Sequence, residues 1–552
     1  MIKIGESSFS TGIVKFWQLA EKHLQAIVVA DIDNYKSVND NYGHVCGDIV
    51  LTKVAEALNS SVRISDEVVR YGGDECVLGF TDIRLTHYLF SFRRMTDIMN
   101  NKKISSVQLI PLSFLFTIVM GAAILMLPIS SATGQWTNPI TALFTSTTST
   151  CVTGLVVVDT HSYFSLFGHI VILCLIQIGG LGIITVISMI MLITQKKFSL
   201  GDRKMLQESL NLNTDVGILR LLIRIFKDVL KIELTGAALY AVVFIPEFGV
   251  VKGIWVSVFN SVSAFCNAGI DIIGPNSLVD YKSNPLVMCT TMILIILGGL
   301  GYVVWFDMSE TIKSGIRKRF TPVQIFKRFN EHTKLVLTVT IVLIVASAFF
   351  FFCSEYNNDG TIGRFSLFDK LINSFFESVT LRTAGFCSFP QENMNHFSCI
   401  MSYILMFIGG SPIGTAGGVK TVTIYVAFLN VISYIRNDDQ CVVFNKRITE
   451  ESMRKATVIV SVAAFTIVVL TLALIATNHI PMDDSLFEVI SASATVGLTR
   501  GVTPNLNTIG RIIIIIAMYL GRIGPISLAI FFAGRHAHKP KCRYTEGNFF
   551  VG

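Results

Sequence analysis

Four short stretches decide the reading: TCVTGL at 150–155, FCNAGI at 265–270, LRTAGF at 381–386 and SATVGL at 493–498. Each is a run of small residues around one glycine. Aligned on Gly154, Gly269, Gly385 and Gly497, they recur at intervals of 115, 116 and 112 residues. A second glycine motif follows each one: IGGLGI from Ile178, LGGLGY from Leu297, IGGSPIG from Ile408 and LGRIGP from Leu520. Its first glycine falls 25, 29, 24 and 24 residues after the loop glycine. Two motifs recurring in phase mark a fourfold internal repeat. Small residues that allow close helix contact account for one such turn, but not for four at a fixed period.

The surroundings are apolar. The 552 residues are 51% hydrophobic and only 15% charged, with a mean hydropathy of +0.60; soluble domains carry about 25% charged residues. Crossing a bilayer takes about 20 apolar residues in a helix. Runs near 108–128, 164–193, 219–245, 285–307, 335–353, 398–433 (interrupted), 456–477 and 509–533 meet that need. The expectation is eight transmembrane helices with both ends on one side. Segments 93–107, 194–231, 313–334, 436–455 and 535–543 hold 28 Lys and Arg; those on the opposite side, 129–162, 247–284, 355–397 and 479–509, hold 6. The positive-inside rule then puts both termini in the cytoplasm. The eleven cysteines form no CxxC pair, and those in apolar runs read as small hydrophobes.

The predicted fold is an all-α integral membrane protein of four span–pore-loop–span repeats around one pore. Non-helical backbone at membrane depth survives only beside protein or a water-filled cavity. Four such loops around one axis can offer carbonyl oxygens in place of the hydration shell of a monovalent cation. Glycine permits the dihedrals this needs. The short helix before each loop points its partially negative C-terminal end at the ion. No dense ring of carboxylates lines the loops, which argues against a divalent-cation channel.

With these motifs, and with QIGGLG at 177–182, GGSPIGTAGGVKT at 409–421 and GRIGP at 521–525, residues from about 105 to 552 resemble the Trk/Ktr/HKT superfamily of potassium transporters, and within it the membrane subunit of the bacterial Ktr system. The resemblance implies potassium uptake across a bacterial plasma membrane. It also implies filter carbonyls from Val152, Thr153, Gly154, Asn267, Ala268, Gly269, Thr383, Ala384, Gly385, Thr495, Val496 and Gly497. Glycine in all four loops fits the potassium-selective type. A less selective sodium or ammonium channel shares the architecture, and sodium coupling stays open.

The third repeat departs from the others. GGSPIGTAGG at 409–418 has five glycines and a proline, which no regular helix tolerates. The resemblance makes this an intramembrane gating loop, with Gly410, Ser411, Gly414, Gly417, Gly418 and Lys420 as gate residues. In the fourth repeat Arg522 stands where the first two carry a second glycine. A charge inside a span is costly and is functional or paired by default. The family role is an electrostatic brake below the filter; the alternative is an ion pair with Glu377 or Glu488. The terminal TEGNFFVG resembles a family signature at a homodimer interface. A cytosolic, KtrA-like nucleotide-binding ring is the implied partner, since the chain has no GxGxxG segment of the strand–helix type. No nucleic-acid partner is expected.

The front differs. Residues 1–85 are polar, 86–105 read as a linker, and 106–552 as the transporter. AIVVADID at 26–33 and RYGGDECVLGF at 70–80, read as a hairpin turning at Gly72-Gly73, resemble part of a GGDEF domain, the diguanylate cyclase fold. There Asp31, Asp74 and Glu75 would hold magnesium, and Asn39 and Asp48 would read guanine. Cys76 replaces the usual Phe, the upstream signature is degraded to STGIVK at 10–15, and the segment that normally follows the hairpin is absent because the first span begins near 108, which would leave an unpaired sheet edge. The expectation is therefore a short, incomplete α/β remnant that holds no magnesium, a chain that is not an enzyme, and Met95 as an alternative start. A membrane-anchored cyclase is the remaining alternative.

Overall fold

A computed structural model describes residues 106–182, 185, 218–438 and 440–524, together with three strands before them. The chain divides into two compact units, Met1–Ile104 and Ser105–Gly552.

In the first unit, β1 (Ala26–Asp31), β2 (Glu67–Gly72) and β3 (Glu75–Phe80) form an antiparallel sheet in the order β1-β3-β2. Each strand carries the branched aliphatic residues that suit a pleated surface. The register runs from Ala26 opposite Phe80 to Asp31 opposite Glu75. The β2–β3 pairing closes with Gly72 opposite Glu75. Gly72 is thus a paired strand residue, not the turn residue the sequence reading made it; Gly73 lies outside the described residues.

The second unit is helical and follows the repeat. The first copy is α1 (Ser106–Met126), a short α2 (Pro139–Cys151) and α3 (Leu166–Leu181). The second is α4 (Ile218–Phe248), α5 (Val250–Cys266) and α6 (Pro285–Leu300), extended by α7 (Tyr302–Arg317). The third is α8 (Glu331–Glu355), α9 (Leu367–Thr380) and α10 (His396–Phe407), extended by α11 (Thr421–Arg436). The fourth is α12 (Glu450–Asn478), α13 (Met482–Ser493) and α14 (Thr508–Ile523). Among the described residues, three helices are alone long and apolar enough to cross a bilayer: Leu222–Phe248 within α4, then α8 and α12.

Caps set the ends of the short helices. The Asn138 side chain accepts from Ile140 N, and that of Ser366 from Asp369 N, the usual N-terminal role of these residues. The run 285–307, expected as one span, is two helices bent by 100°. The break falls at Gly301, whose φ of +89° suits glycine. Gly182 and Gly524 end α3 and α14 with φ of +87° each. The last glycine of the motif therefore stops the helix in the first, second and fourth repeats, so the break is not confined to the third.

Hydroxyls hold the short helices in place. Ser146 Oγ donates to Ile118 O at 2.7 Å, Ser261 Oγ to Glu233 O at 2.6 Å, and Ser378 Oγ to Ile344 O at 2.9 Å. Each bond ties a short helix to the first helix of its own repeat. Such bonds in a membrane interior contribute about 0.6–2 kcal/mol each. Gly121 and Gly236 face these serines: a methyl on either would come within 2.5 Å of the hydroxyl. Among the described residues the core holds two large apolar clusters, one around Phe244, Phe259 and Ile295, the other around Phe351, Phe487 and Ile514, and a small one at Leu300, Val304 and Val336.

Candidate functional site

Each short helix ends in a loop with the same backbone signature. Val152, Asn267, Thr383 and Thr495, two residues before the loop glycines, have φ of +55°, +60°, +73° and +54°. The glycines Gly154, Gly269, Gly385 and Gly497 have φ of +104°, +62°, +83° and +97°. A left-handed conformation at a non-glycine residue costs about 1–2 kcal/mol, and strain of this kind concentrates at functional sites. Here it occurs four times, at equivalent positions.

Bonds from the preceding helix fix this shape. Thr153 N donates to Thr148 O, Ala268 N to Ser263 O and Val496 N to Ser491 O, all at 2.8 Å. Side-chain oxygens take the next donors: Gly154 N to Thr148 Oγ1 at 3.0 Å, Gly497 N to Ser491 Oγ at 3.0 Å, and Ile270 N to Ser263 Oγ at 3.1 Å. The third loop is shifted by one residue, with Ala384 N donating to Thr380 O at 2.9 Å and Thr380 Oγ1 to Phe386 O at 2.7 Å.

The four loops close into a ring. A methyl placed on Gly154 would lie 2.6 Å from the carbonyl oxygen of Ala268. One on Gly269 would strike the carbonyl of Ala384. One on Gly385 would sit 2.5 Å from that of Val496, and one on Gly497 would strike that of Thr153. The order runs from the first loop to the second, third, fourth and back to the first. All twelve residues singled out as filter-forming belong to these loops; eleven are buried and Gly269 is half-buried. The hydroxyls of Thr153, Thr383 and Thr495 are buried and find no partner among the described residues.

The second glycine motif packs beneath the ring. A methyl on Gly179, Gly298 or Gly521 would strike the carbonyl of Thr150, Phe265 or Ser493. Each of these lies four residues before its own loop glycine. The first motif glycine is therefore the point where the third helix of a repeat meets the end of the short helix. In the third repeat, Gly409 instead meets the carbonyl of Gly417.

That exchange reflects a folded loop. Gly409 N donates to Val419 O at 2.9 Å and Thr421 N to Gly410 O at 3.0 Å, so residues 408–420 close on themselves. Ser411 N and Thr415 N donate to the carbonyls of Gly299 and Gly298 at 2.9 and 3.1 Å. These are carbonyls at the C-terminal end of α6, which lack partners within their own helix. In return, Tyr302 N donates to Ile413 O at 3.0 Å. Lys420 Nζ turns back to Ala416 O at 2.6 Å. The expected gate residues Gly410, Ser411, Gly414, Gly417, Gly418 and Lys420 are thus gathered in one structure. Gly417 abuts Thr495 and Ala494 of the fourth loop.

Arg522 makes no ion pair with Glu377 or Glu488. Its guanidinium donates to Thr415 O and to Gly179 O, at 2.5 Å each, and weakly to Gly180 O at 3.4 Å. It therefore caps the C-terminal carbonyls of α3, the favourable place for a cation, while fastening the loop of the third repeat. The two glutamates are held elsewhere. Gln391 Nε2 donates to Glu377 at 3.2 Å, and Thr499 and Thr503 donate through their hydroxyls to Glu488. The sequence reading missed the serines that tie the short helices, whose signal is serine eight residues before the loop glycine in the first two repeats. It also missed the capping role of Arg522, which has no local signal.

Of the front residues, the β1–β3 register sets position 31 opposite position 75 at one end of the sheet. Asp74, Asn39 and Asp48 lie outside the described residues, as does TEGNFFVG.

A buried ring of strained, glycine-bearing loops inside a helical bundle with membrane-length helices defines a membrane ion-pathway class. Residues 99–539 match the family described as TrkH, cation transport protein, and the chain belongs to this family. It is 38% identical over 448 residues to Ktr system potassium uptake protein B of Bacillus subtilis, covering 81% of this chain and 96% of that one. It is 37% identical over 457 residues to potassium/sodium uptake protein NtpJ of Enterococcus hirae, covering 82% and 98%. The crystal structure of the potassium transporter TrkH from Vibrio parahaemolyticus shares the fold, with a TM-score of 0.61 at 17% identity over 78% of this chain and 85% of that one.

The expectation that the chain is not an enzyme is overturned. Residues 7–135 match the family described as diguanylate cyclase, GGDEF domain. Over 53 residues the chain is 45% identical to diguanylate cyclase DgcS of Shewanella oneidensis, 10% of this chain and 18% of that one. The likeness runs well past Phe80, where the sequence reading had stopped it. The front is a candidate enzyme domain, matched in part, beside a dominant likeness to transporters.

Proposed function

We propose that the chain takes up potassium through the four-loop ring, as the membrane subunit of a Ktr-type system in a bacterial plasma membrane. The observation that carries this reading is the closed sequence of glycine–carbonyl contacts around one axis. A potassium ion would shed water onto carbonyls of Val152, Thr153 and Gly154 and their counterparts in the other loops. The unpartnered threonine hydroxyls offer further oxygen at the same level. Eight spans, counting each broken one once, put both termini in the cytoplasm by the charge asymmetry.

Beneath the ring, residues 408–420 and Arg522 would form the gate. A cation about 8 Å from an uncompensated guanidinium meets about 2 kcal/mol of repulsion at an effective dielectric of about 20. Two carbonyls already draw on that charge, so the effective brake is smaller. A homodimer and a KtrA-like nucleotide-binding ring complete the proposed assembly. Growth rescue of a potassium-uptake-deficient bacterium at low potassium, with and without sodium, tests the reading. Rescue is expected; failure of a well-expressed, membrane-inserted chain would refute it. Growth that depends on sodium would favour coupling, and the name of the Enterococcus relative makes sodium entry the second outcome to measure.

For the front unit, the facing positions 31 and 75 suit a site in which Asp31, Asp74 and Glu75 hold magnesium, the ion that would screen a nucleotide triphosphate. Cyclic di-GMP formation from GTP by the full chain tests this; no product above background with magnesium present would dismiss it.

A further inference from the structure

The molecule has a second built feature, away from the ring. A cavity of about 730 Å³ opens between α4 and α7. Its wall carries Arg224, Lys227, Lys231 and Lys313, with Asp228 as the single acid. Arg224 is paired with Glu310 at 2.7 Å and Lys231 with Asp228 at 3.2 Å. Lys227 and Lys313 have no ion pair among the described residues, so the cavity keeps a surplus of positive charge. The indole Nε1 of Trp305, also in the wall, is buried without a hydrogen-bond partner.

A second cavity of about 210 Å³ continues from it along α4 and α6. The two share Lys231, Ile232 and Leu297. The second is walled by Gly236, Leu239, Ile293 and Leu294, and Ile293 and Leu239 face outward, 55% and 39% exposed. On α4 the lining residues 227, 231, 235 and 239 step by four, so they share one helical face. That face begins basic and ends apolar. From Lys227 to Leu239 it rises about 18 Å, against about 15 Å for one leaflet of a roughly 30 Å hydrocarbon layer. Charge asymmetry puts the basic end at the cytoplasmic surface, where anionic headgroups lie.

We propose that this paired cavity is a binding site for one anionic phospholipid of the cytoplasmic leaflet. Its phosphate sits among Lys227, Lys231 and Lys313. One acyl chain follows the groove between α4 and α6. A soluble anion would use the basic end and leave the groove empty. A docked protein would use the lysines without needing the groove.

The test uses the full chain, delipidated in detergent and titrated with phosphatidylglycerol or phosphatidylcholine, with bound lipid counted by mass spectrometry. Phosphatidylglycerol should bind and phosphatidylcholine should not. A combined Lys227→Gln, Lys231→Gln, Lys313→Gln variant should lose at least about tenfold in affinity, each basic residue near an anionic headgroup contributing a factor of about five. Ile293→Trp, which fills the groove and leaves every charge in place, should lose about fivefold, the scale of one well-placed hydrophobic contact. Two variants at opposite ends guard against misfolding in either, and melting temperature is read for both. Lipid binding within twofold of wild type in both variants would overturn the proposal. So would loss only in the lysine variant with displacement by millimolar inorganic phosphate, which would mark a simple anion site. Retained lipid with loss of a cytosolic protein partner would mark a docking face instead. The readout does not depend on ion flux, so failure of the pore reading leaves it intact.

Discussion

The ring of loops and the layer just beneath it are built on opposite principles. At the ring the four repeats do the same thing: the same two left-handed positions, the same glycine, the same contact with the next carbonyl. One helical turn lower the repeats differ. The first and second end their helices on plain glycine motifs, the third unwinds into residues 408–420, and the fourth supplies Arg522. Yet both departures meet one need. Helix ends leave carbonyls without partners, and a membrane interior makes that expensive. The third repeat caps α6 of the second with backbone N–H groups, and the fourth caps α3 of the first with a guanidinium. The ring keeps the fourfold likeness and the layer beneath loses it, and the capping requirement lets that loss be stable.

The largest expected effect comes from breaking the symmetric layer. Gly154→Ser places a Cβ 2.6 Å from the Ala268 carbonyl at a φ of +104°, a conformation costly for serine. Potassium-over-sodium discrimination should fall by about tenfold or more, one factor of ten per about 1.4 kcal/mol lost. Competition uptake with labelled rubidium against sodium reads this, and unchanged selectivity would remove the ring from the pathway. Next comes deletion of 411–416, which takes out the donors to α6 and the Thr415 carbonyl. Flux should rise about fivefold, the effect of removing a barrier of about 1 kcal/mol; unchanged or lower flux at normal expression would mean the segment is scaffold.

Arg522→Ala should raise flux by a smaller factor, about threefold, because its charge is already shared with two carbonyls. Arg522→Lys separates charge from geometry: a lysine keeps the charge but not the planar fork. If the lysine variant restrains flux like wild type while losing several degrees in Tm, braking and capping are distinct roles. Equal behaviour of the two variants would merge them.

The smallest effect lies at the far side of the ring. Asp271 follows the second loop, and burial pushes its carboxyl up from 3.8 to about 6, against bonds from Ser277 and Ile273 that favour ionisation. Since the folded value is raised, its contribution to stability is present below about pH 4 and is lost as pH rises through about 6. For cations the sign is reversed, because the charge that attracts them exists only above that value. Uptake should decline by less than about twofold as external pH falls from about 7 to about 5. Asp271→Asn should flatten the profile; an unaltered slope would place the titrating group elsewhere.

Much of this was legible in the chain, because glycine leaves a mark wherever backbone must approach backbone. Gly154 and its counterparts, and Gly179 and its counterparts, mark both layers of the repeat in the sequence, but not which carbonyl each one meets. The break at 409–418 was legible for the same reason. Two features were not. Gly301 reads as part of an unbroken apolar run, and only the carbonyls of the neighbouring repeat show why the helix bends there. The partners of Arg522 are backbone atoms more than 100 residues away, and backbone acceptors carry no signature in side chains. The front unit failed differently: the reading stopped at Phe80 because an apolar segment followed, although likeness to a cyclase family extends further.

The glycine-to-carbonyl ring has one more consequence. A filter assembled from four separate copies of one subunit changes all its quarters with every mutation. Here each quarter is encoded once, in one chain, so a substitution alters a single wall and leans on one neighbour. Double substitutions in adjacent loops should therefore be non-additive while opposite loops behave independently. On the proposed reading of the ring as a filter, ion preference can be adjusted in quarter doses, a gradation that a fourfold-symmetric oligomer does not possess.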